Sequence, residues 1–195
     1  MGNSMVQTRD HTHPQPTLTL EEFLALPETK PASEFINGKI HQKTMPQGKH
    51  GAIQAELTVQ IYGLRRQKIA RVITELRCTF GDRSIVPDLA VFKWDNIARD
   101  ADGSIANAFT WPPDWTIEIL SPGQSPSRPT RNIFHCLEHG CVMGWLIMPE
   151  DEFSVVVYTS QGASCLGEPG DHLPVPEFAG ELEITIQDLM DCLQD

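Results

Sequence analysis

Two short apolar runs each carry a single acid. Ser84-Ile-Val-Pro-Asp88-Leu-Ala-Val-Phe92 holds Asp88, and Trp115-Thr-Ile-Glu118-Ile-Leu-Ser121-Pro122 holds Glu118. Both runs are apolar and β-branched enough to read as strands. A buried strand does not hold an ionised carboxylate without a partner, so two of them invite a shared cation. Phosphodiester hydrolysis needs such a site, because negative charge on the phosphate must be neutralised and hydroxide generated near neutral pH. Hard Mg²⁺ does both and takes oxygen ligands, usually one or two carboxylates plus waters and substrate oxygens. Asp88 and Glu118 would supply two ligands, with the Ile119 carbonyl as a third. An equally weighted reading has two strand-end acids paired with arginine or with backbone amides.

The elements that would position these acids follow from the pattern around them. Residues 1–16 are polar, contain proline and histidine, and show no periodicity, so they are expected to be a disordered tail in which His11 and His13 carry no site. Residues 17–195 fit a single domain. Thr19 to Leu26 reads as a short capped helix stopped by Pro27. Asn37-Gly38 between two extended runs predicts a two-residue hairpin, with Phe35 facing Ile40 and Glu34 facing His41. Ile53, Leu57, Ile61 and Leu64 recur at helical spacing behind His50, and the basic turn Arg65-Arg66-Gln67-Lys68 follows. Strands are predicted at 71–80 and 85–92, and 93–114 reads as an irregular loop anchored by Trp94, Trp111 and Trp115. A helix ending at Gly140 then buries Ile133, Cys136 and Leu137. Strands at 142–148 and 154–159, an extended 182–186 and a helix from 186 to 193 close the chain. The order predicts a mixed central sheet with helices on both faces.

Bulk properties narrow the chemistry. The chain has 195 residues, 40% hydrophobic and 21% charged, a globular composition. No apolar run approaches a membrane span and the N-terminus has no signal-like segment, so a cytoplasmic location without membrane contact is expected. The five scattered cysteines suit reduced thiols. A net charge of −11 opposes an extended phosphate-binding surface but leaves room for a local basic groove. Arg65, Arg66, Lys68 and Arg71 are the basic cluster available for a nucleic-acid backbone, although a helix C-terminus attracts the same residues. Gly123-Gln124-Ser125 would position a phosphate at a helix start, or form a plain turn. His135 and His139 share a helical face at metal-binding spacing, yet Cys136 points elsewhere, and a solvated histidine pair is the favoured reading. No phosphate-binding GxxxxGK[ST] loop or GxSxG elbow is present.

Several of these features together carry a resemblance: Pro87-Asp88, Glu118-Ile-Leu-Ser121-Pro122, the Glu34-Phe-Ile-Asn-Gly38 hairpin, His50 opening a helix, and Gly140 to Ile147. In order and spacing, across about residues 18–193, they resemble the Uma2 (DUF820) endonuclease-like family, which is abundant in cyanobacteria and lies within the PD-(D/E)xK superfamily. The resemblance implies a restriction-endonuclease-like α/β fold and Mg²⁺-dependent cleavage of nucleic acid; DNA as the substrate, Mn²⁺ as an alternative ion and a homodimer are further expectations. It makes Asp88 and Glu118 the metal-binding acids, and Glu34 and His50 a further acid and histidine of the site. It also exposes a departure. The superfamily lysine two residues after the second acid is Leu120 here, and the position in the following helix to which Uma2 proteins move it is Asn132. Arg131 beside it points about 100° away on a helix and does not deprotonate to act as a base. Lys39, Lys43 and Lys93 are candidate substitutes. Two readings follow: a metal-dependent endonuclease, or a catalytically inactive metal-binding or assembly module of the same fold.

Overall fold

A computed structural model describes residues 18–194, so the expected N-terminal tail lies outside the described residues. The first helix, α1 (Leu20–Leu24), is capped as its sequence predicts: the Thr19 hydroxyl accepts from the Glu22 amide, and the Glu22 carboxylate accepts from the Thr19 amide. The hairpin β1 (Ser33–Ile36) and β2 (Lys39–Gln42) has the predicted register, Phe35 opposite Ile40 and Glu34 opposite His41. Its turn needs two left-handed residues, and Asn37 and Gly38 supply them with φ of 51° and 74°. Next comes α2 (Gly48–Ile61), continued after Tyr62 by α3 (Gly63–Arg66), and Ile53, Leu57, Ile61 and Leu64 are all buried.

The predicted strand over 71–80 is in fact two. β3 (Ala70–Thr74) ends at Glu75, whose φ is 50°, and the chain then turns into β4 (Cys78–Phe80) of another sheet. β5 (Arg83–Ile85) returns beside β4, and Val86-Pro87-Asp88 carries the chain back into β6 (Leu89–Lys93). After the predicted irregular loop, β7 (Trp115–Ile119), α4 (Ser127–Glu138) and β8 (Met143–Met148) form a parallel crossover unit. β9 (Ser154–Thr159) matches its expected span, whereas β10 (Gly162–Leu166) has no counterpart in the sequence pattern because most of its residues are polar or small and exposed. Residues 182–186 make a single bridge, Thr185 to His172, rather than a strand, and α5 (Ile186–Asp191) ends the fold.

The sheets are a six-stranded mixed one, β10-β9-β8-β7-β6-β3, and a four-stranded antiparallel one, β2-β1-β5-β4. The main core lies on the α2 face of the larger sheet and contains Ile53, Leu57, Leu89, Val91, Ile117 and Trp145. A second core on the opposite face joins Ile85 and Phe80 of the small sheet to Ala90, Phe92 and Cys136. Alternation explains the split: Leu89 and Val91 face one core, Ala90 and Phe92 the other. α4 packs so closely on the sheet that a Cβ at Gly144 would overlap Ile133 Cγ2.

The histidine pair differs from expectation. His135 is buried, its ring stacked on Phe80 at 4.7 Å, so it belongs to the second core rather than to solvent. Cys78, Cys136 and Cys141 are buried thiols, in line with the expected reduced state. Trp115 is fully buried edge-on to Trp145 at 4.8 Å, and Trp111 pins the loop by donating to the Asn96 carbonyl at 3.0 Å. No described helix is long and apolar enough to cross a membrane.

Candidate metal centre at the seam of two sheets

The carboxylates meet where the two sheets exchange chain. The β6–β7 register pairs Leu89 with Ile117, so one step further places Asp88 opposite Glu118. The β3–β6 register pairs Thr74 with Leu89, so one step further places Glu75 on the other side of Asp88, and the Glu75 amide donates to the Asp88 carbonyl at 3.2 Å. Glu75, Asp88 and Glu118 thus form a row across three adjacent strand ends. Like charges in such a row repel unless a cation is set among them.

Lys43, just past β2, is that cation. Its Nζ lies 2.6 Å from Asp88 Oδ1 and 3.3 Å from Glu75 Oε2, and donates to the Val86 carbonyl at 2.7 Å. Burial alone would lower its pKa, but the Asp88, Glu118 and Glu75 carboxylates outweigh burial and hold it above the usual lysine range. Lys43 is therefore charged throughout the physiological range.

Each remaining group has a defined support. Asp88 Oδ2 accepts from the Ile119 amide at 2.7 Å, so the contact Ile119 makes here is through its N–H. Glu34 Oε1 accepts from the Val86 amide at 3.0 Å and from Asn132 Nδ2 at 3.1 Å. Gln54, one turn after His50 on α2, donates to Glu75 Oε1 at 3.2 Å and to the Asp88 carbonyl at 2.9 Å. His50 Nε2 stands 3.5 Å from Asp88 Oδ1. Glu118 is fully enclosed; burial first, then the Asp88 charge, push its pKa well above the carboxylate range, with Lys43 opposing.

Three buried groups lack hydrogen-bond partners in this small volume: both ring nitrogens of His50, Glu118 Oε1 and Asn132 Oδ1. Buried polar atoms are rarely left so, and with His50 beside Asp88 and Glu118 feeling the charges of Asp88, Lys43, Glu34 and Glu75, the unpaired atoms suit a bound ion with its waters. Ligand atoms of His50, Glu75 and Asp88 lie within 4.8 Å of one another, which fits a divalent cation.

The structure brings Glu34, His50, Asp88, Glu118 and Asn132 together, while Ile119 meets Asp88 through its amide and not through the carbonyl expected as a ligand. It adds Glu75 and Gln54, and of the three candidate lysines it places Lys43 beside Asp88. Glu75 was hidden inside what reads as one continuous strand, and only the break after Thr74 turns it toward Asp88. The basic turn lies elsewhere: Arg65 follows His50 by fifteen positions along the α2–α3 axis, about 20 Å at the helical rise. There Arg65 stacks on Tyr62 and donates to its hydroxyl at 2.6 Å. Gln124 Oε1 accepts from the Ser121 amide at 3.1 Å and closes the turn after β7.

Comparison with known proteins places this geometry. Residues 20–187 match the model of Uma2, described as "Putative restriction endonuclease". The chain belongs to the Uma2 family. Its fold is similar to the crystal structure of a "putative nuclease belonging to DUF820" from Anabaena variabilis, with TM-score 0.88 and 56% identity, covering 90% of this chain and 99% of that one. No curated protein matches. As a Uma2 protein with a mixed central sheet flanked by helices, the chain has the restriction-endonuclease-like architecture that the sequence reading expects.

Proposed function

We propose that this Uma2 protein is a metal-dependent DNA endonuclease in which Lys43 supplies the positive charge absent from positions 120 and 132. The observation that carries the reading is Lys43 Nζ at 2.6 Å from Asp88, inside a row of three carboxylates beside unpartnered buried His50 and Glu118 atoms. A divalent ion held by Asp88, Glu118 and Glu75, with His50 as a nitrogen ligand, would supply water activation and charge neutralisation at the phosphate. Mg²⁺ suits the carboxylates, and Mn²⁺ tolerates the imidazole as well.

The chain's own groups account for the rest. The Ile119 amide fixes Asp88 by holding Oδ2, which leaves Oδ1 to face the site. Lys43, anchored on the Val86 carbonyl, keeps its ammonium where charge develops on a phosphate oxygen. Glu34 takes or relays a proton, and Asn132 orients it by donating to Oε1. Where His50 is not a ligand, its unpartnered nitrogens suit the same relay.

The second reading, a non-catalytic metal-binding or assembly module, is favoured by Leu120 and Asn132 standing where lysine would be. Incubation of plasmid and single-stranded DNA with Mg²⁺ or Mn²⁺, alongside Asp88→Asn and Glu118→Gln, separates the two. Cleavage by wild type that both variants lose supports the endonuclease. Absence of cleavage with either ion supports the module.

A further inference from the structure

We propose that the cleft between the β1–β2 hairpin and the start of α4 seats a backbone phosphate of the nucleic-acid strand, next to the one at the metal centre, and that Arg128 and Arg131 grip it. The inference rests on the nuclease reading and deepens it by locating the strand.

The cleft has a volume of about 330 Å³, and its polar lining is His41, Gln124, Ser125, Ser127, Arg128 and Arg131. These groups are donors or hydroxyls, and no carboxylate lines the space. That composition is unusual in a chain of net charge −11. A contrasting cleft lies directly across the Gln124–Ser125 rim, which lines both; its far wall carries Glu150, Asp151 and Glu152. An anionic strand leaving the metal centre is attracted to one side of that rim and repelled from the other.

Arg128 and Arg131 are one turn apart on α4 and so share a face. A guanidinium fork matches two phosphate oxygens, and two forks at this spacing can take one phosphate from two directions. Arg131 is exposed, and its backbone is braced by Arg83, which donates to its carbonyl at 3.2 Å. Arg128 connects the cleft to the site: its Nε is 3.9 Å from Glu34 Oε2, and its Nη1 donates to the Gln42 carbonyl at 3.3 Å. Both contacts are long, so the guanidinium is not committed to either. Glu34 in turn holds the Val86 amide, and the Val86 carbonyl holds Lys43. The cleft is therefore linked to the carboxylate row through Glu34, Val86 and Lys43.

The test is fluorescence anisotropy of a short labelled DNA strand, and of the same strand in duplex, in EDTA so that binding is read without cleavage, over a salt series. Arg128→Gln/Arg131→Gln is expected to weaken single-strand binding about tenfold at low salt and to reduce the log–log salt slope by about 1.4, two contacts at ~0.7 each. Arg131→Gln alone, at an exposed side chain that cannot unfold the protein, is expected to give about half that slope change. Arg65→Gln/Arg66→Gln, at the competing basic cluster, is expected to keep the wild-type slope. Wild-type binding by the Arg128/Arg131 variant, or loss of slope in the Arg65/Arg66 variant instead, overturns the cleft even if Asp88-dependent cleavage is seen. Cleft-dependent binding without cleavage under any metal supports the cleft and overturns the nuclease reading. A wild-type protein that binds neither probe overturns the cleft, and the nuclease reading is then decided by the cleavage assay with Mg²⁺ or Mn²⁺.

Discussion

Lys43 Nζ and Asp88 Oδ1 are 2.6 Å apart, and both side chains are largely withdrawn from water. A buried pair of this kind is costly to break from one side, because the surviving charge keeps its desolvation penalty. Lys43→Met in EDTA is therefore expected to lower unfolding stability by about 3 kcal/mol. Saturating Mn²⁺ should return part of that loss by replacing the missing charge beside Asp88. Urea unfolding with and without the ion measures both numbers. Equal stability of the variant and wild type in EDTA would show that the pair is not formed in solution.

Asn132 faces the same volume from α4, where it donates to Glu34. Asn132→Lys in the wild-type background adds a second cation next to Lys43, and the expected outcome is no gain in cleavage. In Lys43→Met the same substitution should restore at least tenfold of the lost rate, since the charge returns to the site from another element. Plasmid nicking rates for the two singles and the double give the coupling directly. Additive losses would mean that the two positions do not serve one role.

Glu118 sets a pH dependence in the metal-free protein. Its folded pKa lies above the unfolded value of about 4.5, raised by burial and then by Asp88. The folded state thus binds the extra proton, and stability falls as pH rises from the unfolded pKa through the folded one. Lys43 acts in the same direction but only at the alkaline end, because its raised pKa keeps its stabilisation intact below the ordinary lysine value and that stabilisation is lost as pH rises through the folded one. Wild type in EDTA should be less stable at neutral pH than at pH about 5, and Glu118→Gln should flatten that difference. A variant with the wild-type slope would place the titrating group elsewhere.

The helix–sheet contact at Gly144 makes a prediction about packing alone. A methyl there meets Ile133, a fully buried residue with no room to retreat. Gly144→Ala should cost about 1–3 kcal/mol, and Gly144→Ala with Ile133→Val should recover part of it. Thermal melts of the four proteins close the cycle, and a neutral single variant would show α4 to be more loosely seated than this.

How far the sequence alone carries depends on the range of the interaction that decides each feature. The hairpin was legible to the residue because Asn37-Gly38 determines it locally. The α2 stripe and the capping box of α1 were legible for the same reason. Asp88 and Glu118 were visible as acids in apolar strands. Glu75 was not, because a strand that changes sheets looks like a longer strand until its partner is known. Lys43 was one of three candidates, and only the approach of the hairpin to the β5–β6 connection separates it from Lys39 and Lys93. His135 misled the reading because its spacing to His139 says nothing about Phe80, which arrives from a distant strand.

The passage of the chain between its two sheets has a further consequence. The crossings at Glu75 and at Val86–Asp88, the end of the hairpin at Lys43 and the buried face of α4 at Asn132 all converge on one small volume. The place of the positive charge is thus defined by the architecture, while the backbone segment that delivers it is not. A cation borne on either the end of the hairpin or the buried face of α4 would reach that volume. A short motif spelled out in consecutive residues is then the wrong unit in which to look for it.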